Sequence, residues 1–168
     1  MKSTRFLLLL VSLLVPACGG GGGSGAAGPG APPTATATTP PGSQRSVVPI
    51  DFMLIDAESN AVSIFVEFSV DGGASYAPAT AAFGNGVTTG LASSPGGTAH
   101  TFLWNSVGDG VATGTLSSVL AIQSVGTVNP QVRIRIWPSD GTPGTPASTG
   151  NFTVDNTFER TTGVASAS

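Results

Sequence analysis

A chain of 168 residues with one cysteine, one histidine and nine acidic against six basic residues is short of the parts that several function classes need. A single cysteine allows neither an internal disulfide framework nor a thiolate zinc site, and so few scattered cations cannot neutralise the phosphates of a nucleic acid. Glycine (24) and proline (13) are abundant while helix formers are scarce, a bias toward strands joined by turns.

Residues 1–17 read as an export signal: Lys2 and Arg5 precede the apolar run from Phe6 to Val15, which is too short to span a bilayer as a helix but right for a signal peptide. The run ends in Leu14-Val15-Pro16-Ala17-Cys18, which resembles the bacterial lipobox, with Pro16 a less common occupant. The resemblance implies cleavage before Cys18, lipidation of that residue (diacylglycerol on sulfur, an acyl chain such as palmitate on the amine) and a cell-envelope lipoprotein whose first partner is the membrane. Gly19, not aspartate, follows, which resembles outer-membrane sorting and leaves a periplasmic or surface-exposed position open. An ordinary cleaved signal with a chance cysteine is the plainer alternative.

Residues 18–45 are rich in Gly, Pro and Thr and show no apolar face, so they are expected to be a disordered linker. The signal's cations leave with it, so the rest of the chain holds four arginines, no lysine and nine carboxylates. Residues 46–157 have the size of one domain, and residues 158–168 read as a disordered tail.

Within 46–157, the run from Val47 to Ile55 predicts a strand, placed at a sheet edge because Pro49 has no N–H to donate. Val62, Ile64, Val66, Phe68 and Val70 alternate with Ser63, Phe65, Glu67 and Ser69, the clearest period of two in the chain. Ser69-Val70-Asp71-Gly72-Gly73-Ala74-Ser75-Tyr76 predicts a tight hairpin, with Tyr76–Thr80 returning as a short strand. Residues 84–98 read as a Gly-rich loop, and His100, Phe102 and Trp104 share one face of the next strand. Leu116–Val125 and Gln131–Trp137 are the next two strands, the latter with Val132, Ile134 and Ile136 inward and Arg133, Arg135 and Trp137 outward. Asn151–Asp155 closes a set of about seven strands at sandwich spacing. The expected fold class is all-β, an antiparallel β-sandwich.

The stretches DAESNAVSIFVEFSVDGGASY, GLASSPGGTAHTFLWNS, VRIRIWPSDGTPG and GNFTVDN together resemble a fibronectin type III/Ig-like repeat of bacterial secreted and surface proteins, across residues 47–156. Such modules act as spacers and adhesion units, so the resemblance implies fold more firmly than function. They often recur in tandem, and this chain holds no second copy. Ser69, Asp71, Gly73, Ser75 and Tyr76 match the Asp-box pattern of sialidases and other β-propeller proteins, where it mostly stabilises a hairpin.

Chemistry is thinly provided. A nucleophile needs a base, and His100, placed beside Phe102 and Trp104, reads as a packed or edge histidine. The carboxylates of Glu67, Asp71 and Asp109 form no recognisable acid–base pair. No catalytic residue is assigned. Asp56, Glu58 and Asn60 put three oxygens at alternate positions of a turn, and Asp140 or Asp155 from other loops would complete a calcium site; a solvated acidic turn is the alternative, and no other cofactor is expected. Arg133, Arg135 and Trp137 form a candidate binding face. The reading is thus a non-catalytic, lipid-anchored envelope protein presenting its module for adhesion, assembly or structural spacing to a protein or glycan partner that the residues do not specify. A carbohydrate-binding module using exposed aromatics, and a hydrolase, are the alternatives.

Overall fold

A computed structural model describes residues 30–84, 86–113 and 127–157, and their regular structure is all β. The signal, Cys18, the Leu116–Val125 strand and the 158–168 tail lie outside the described residues. Among the described residues are nine strands: β1 (Thr34–Ala37), β2 (Ser43–Gln44), β3 (Val47–Ile55), β4 (Ser63–Ser69), β5 (Ala77–Pro78), β6 (Thr98–Asn105), β7 (Asn129–Ser139), β8 (Ala147–Ser148) and β9 (Phe152–Val154). They form a three-stranded sheet of order β1-β3-β6 and a six-stranded sheet of order β2-β9-β7-β4-β5, with β8 also paired to β7.

Alternation decides which faces meet. Val48, Ile50, Phe52 and Leu54 of β3 and Phe102 and Trp104 of β6 bury one face of the first sheet; Ile64 and Val66 of β4, Val132, Ile134 and Ile136 of β7, and Phe152 and Val154 of β9 bury one face of the second. All belong to one apolar cluster, so the two sheets share a core. Trp104, fully buried, stacks at a tilt on Phe68 and meets the edge of Phe152. Its indole Nε1 donates to Asp109 Oδ2 at 2.6 Å, and Asp109 Oδ2 also accepts from the Thr80 amide at 2.9 Å. At the end of β4 Ser69, on the outer face, is buried because the hairpin folds over it, its hydroxyl accepting from the amides of Asp71 and Gly73, while Val70 beyond the strand is 43% exposed.

Two expectations are corrected. The linker does not run to residue 45: β1 pairs antiparallel with β3 from Thr34↔Ile55 to Ala37↔Phe52, and β2 pairs parallel with β9. Low hydrophobicity argued for disorder, but Thr34-Ala35-Thr36-Ala37 alternates with period two. Ala35 and Ala37 pack on the core, Pro33 is fully buried, and β3 supplies the ladder partners that the segment lacks alone. Second, β3 is the central strand of its sheet, not an edge. Pro49 fits there because β1 pairs only with the Phe52–Ile55 half of β3, so at Pro49 a single neighbour, Leu103 of β6, is present and the missing N–H faces an open side.

The return strand is shorter than expected, and the chain then crosses between sheets. Ala77 and Pro78 pair with β4, the Ala79 amide still donates to Val66, but the Ala82 amide donates to Leu103 of β6 and Ala81 bridges Trp104. A buried polar knot ties the chain after β6 and β9 to the turn before β3: Asn156 Nδ2 donates to Ser106 Oγ and to the Val111 carbonyl, while its Oδ1 accepts from the Ser46 amide at 2.7 Å. Ser46, at φ 63°, is thereby held in the left-handed conformation that turns β2 into β3.

Candidate binding face

The hairpin after β4 is built from Asp71. Its Oδ1 accepts from Ser69 Oγ at 2.7 Å and from the Ser75 amide at 3.0 Å, its Oδ2 accepts from Ser75 Oγ, and Gly72 and Gly73 take the positive φ values, 74° and 98°, that the turn requires. The hydroxyl and amide of Ser75, with the hydroxyl of Ser69, hold the Asp71 carboxyl well below the usual carboxylate range. The Gly72 amide donates to the Gln131 carbonyl, which ties the turn to β7. Every bond here shapes the hairpin.

The five proposed calcium ligands do not come together; among the described residues no three of His, Cys, Asp and Glu are grouped to hold a metal. Three of the carboxylates are engaged in local turns. Asp56 is buried and its Oδ1 accepts from the amides of Glu58 and Asn60, capping the turn into β4. Its Oδ2 has no hydrogen-bond partner among the described residues. Asp140 accepts from the Thr142 amide in its own turn. Asp155 accepts from the hydroxyl and amide of Thr157 and pairs with Arg45 at 3.0 Å, and these partners lower its pKa in that order. An Asx-turn can place carboxylates at alternate positions as readily as a cation can, which is why the spacing misled.

His100 stacks on Phe52 with ring centroids 5.4 Å apart, and its Nε2 donates to the Ala92 carbonyl at 2.7 Å. Asp51 and Thr101 line the same shallow depression and bond each other at 2.6 Å, but Thr101 takes the opposite face of β6 from its neighbour. The three do not form a relay.

On the outer face of the second sheet, by contrast, side chains converge. Strands β4 and β7 pair in register so that Phe65 lies across from Trp137, Glu67 from Arg135, and Ser69 from Arg133. Phe65 is 51% and Trp137 38% exposed. Glu67 Oε2 accepts from the Trp137 indole Nε1 at 2.7 Å and from Arg135 at 2.9 Å (Nε) and 2.7 Å (a terminal nitrogen). The Arg135 guanidinium lies 3.7 Å from the centre of the Tyr76 ring and 5.1 Å from that of Trp137. Arg133 is used differently, donating to the carbonyls of Thr149 and Gly72, so of the expected trio it braces the hairpin and β8–β9 while Arg135 and Trp137 form the face. Sequence reading passed over Phe65 and did not place Glu67 here. The available signal was an aromatic at an outward position of the strongest alternation in the chain. Comparison with protein families, curated proteins and solved structures finds no match.

Proposed function

We propose that this chain is a lipid-anchored, non-catalytic protein of the bacterial cell envelope, with acyl chains on Cys18, that presents one fibronectin III/Ig-like β-sandwich for adhesion, assembly or spacing. The observation that carries the reading is the position of the only cysteine, directly after Leu14-Val15-Pro16-Ala17 at the end of an apolar run. Several chains of buried methylenes, at ~0.8 kcal/mol each, suffice for stable anchoring.

The strand order supports the sandwich part of the reading. One sheet of β1-β3-β6 and another holding β5-β4-β7-β9, with the first edge strand passing from the smaller sheet to run parallel to the last strand of the larger, match the division of strands in Ig-type modules. The non-catalytic part is supported by Asp56, Asp71, Asp155 and His100, which bond turn or backbone groups, and by the Glu67–Arg135 ion pair. A pole is also assigned. The chain enters β1 beside Ile55 and Thr145, at the end of the fold that carries Asp56 and Asp140. A lipid on Cys18 would tether the domain from that pole, with the Asp71 hairpin at the other end of β4.

Growth with an alkyne fatty acid, followed by dye coupling and detergent phase partition, tests the anchor. The wild-type chain is expected to take the label and partition with detergent, and Cys18→Ser to do neither. Label in Cys18→Ser, or a wild-type chain in the aqueous phase, overturns the reading.

A further inference from the structure

We propose that the outer face of β4 and β7 is a binding platform for an uncharged glycan, on which Phe65 and Trp137 stack against a pyranose ring and Glu67 and Arg135 bond its hydroxyls. The inference deepens the envelope-module reading and rests on it for its setting.

Register supplies the surface. Side chains directly opposite in an antiparallel pair have Cβ atoms about 5 Å apart, and Phe65 and Trp137 are such a pair, both exposed on the outer face. The faces of such rings carry the negative part of a quadrupole, which attracts the axial C–H groups of a pyranose. The patch is also set in advance. The Nε1 bond to Glu67 fixes the indole plane of Trp137, and Arg135 is held between Glu67 and the Tyr76 ring, so little side-chain entropy remains to be lost on binding.

Charge selects the ligand. Arg135 and Glu67 neutralise each other, and Arg133 is committed to two backbone carbonyls; an acidic or basic partner finds no free counter-charge. A wholly apolar partner is disfavoured too, since it would desolvate the Arg135–Glu67 pair without replacing its water contacts. All three bonds to Glu67 converge on Oε2, so Oε1 and the second terminal nitrogen of Arg135 stand outside them, one acceptor and one donor beside the aromatic patch. A ring with an apolar face and a hydroxyl rim matches both features.

The test is retention of the full chain, in mild detergent, on insoluble cellulose, chitin and curdlan, with alginate beads as the charged comparison. The wild type is expected to bind at least one of the three neutral polysaccharides. Trp137→Ala and Phe65→Ala should each weaken that binding at least ten-fold, and Met53→Ala, on the exposed face of the other sheet, should leave it unchanged. Circular dichroism melts accompany each variant, and half-exposed Phe65 keeps the test decisive if Trp137→Ala unfolds. Retention on none of the neutral polysaccharides, retention on alginate alone, or binding that survives both aromatic substitutions overturns the inference. Lipid labelling at Cys18 is read separately: a labelled chain that ignores glycans sinks this inference alone, and an unlabelled chain that binds them sinks the envelope reading alone.

Discussion

Asp71 concentrates the electrostatics of this protein in one turn. Its carboxylate accepts three hydrogen bonds from Ser69 and Ser75, and donors that favour the charged form lower the folded-state pKa beneath that of the unfolded chain. The unfolded chain therefore takes up protons first as acid is added. The contribution of Asp71 is fully present above the unfolded-state pKa, about 4, and is lost as pH falls below it. Asp155, lowered by Thr157 and Arg45, adds in the same direction. The melting temperature is expected to be flat from pH 7 to 5 and to fall from pH 4 to 2. Asp71→Asn should melt lower than wild type at pH 7 and show a shallower acid limb. An equally steep limb in the variant would mean that the drop belongs to other carboxylates. The residues of this turn were legible in the sequence, because Ser-x-Asp-x-Gly-x-Ser sets its donors and acceptors within a few bonds of one another. The partners of Trp137 were not, since Glu67 stands 70 positions away along the chain.

At the scale of the element, β1 and β2 change how the amino-terminal third is understood. The segment has little apolar surface of its own, yet it takes its ladder partners from β3 and β9 and buries Pro33 and Pro40. Arg45 gives a direct probe, because it is the only lysine or arginine between Arg5 and Arg133. Its side chain is 61% exposed and pairs with Asp155, but the Gln44 carbonyl and the Ser46 amide on either side are bonded to the Asp155 amide and to Asn156. Protease cleavage needs that backbone freed from the fold. Brief trypsin digestion of the native protein is expected to leave the Arg45–Ser46 bond intact, with cutting there only near the melting temperature; rapid cutting at 25 °C would return the segment to the linker. The strands of strongest alternation, β4 and β7, were readable from periodicity alone. β1 was not, because four residues of Thr and Ala carry too little apolar contrast to separate a strand from a polar spacer.

The whole molecule depends on a core shared between two sheets, and Trp104 is the largest fully buried side chain in it. From β6 of the smaller sheet the side chain reaches Phe68 and Phe152 of the larger one and anchors Asp109, which in turn holds the Thr80 amide where the chain crosses from one sheet to the other. Trp104→Ala removes that volume and leaves Asp109 without its indole donor, at a cost of about 3–5 kcal/mol. Urea denaturation is expected to show a lower midpoint with an unchanged slope if the fold survives. A loss under ~1 kcal/mol would show that the two sheets are held together elsewhere.

Composition and period alone determined the all-β class, the inward faces of β4, β6 and β7, and the hairpin at Asp71, because each rests on neighbours in sequence and on the two-residue repeat of an extended chain. Only the tertiary structure decided that 34–44 belongs to the fold, that β3 lies in the middle of its sheet, that Asp56, Asp140 and Asp155 serve turns instead of converging, and that Phe65, Glu67, Arg135, Tyr76 and Trp137 share one face. Those outcomes depend on which strands lie side by side and in what register, and pairing between distant segments is set by how both sheets close over a common core, a constraint that no single stretch of chain contains.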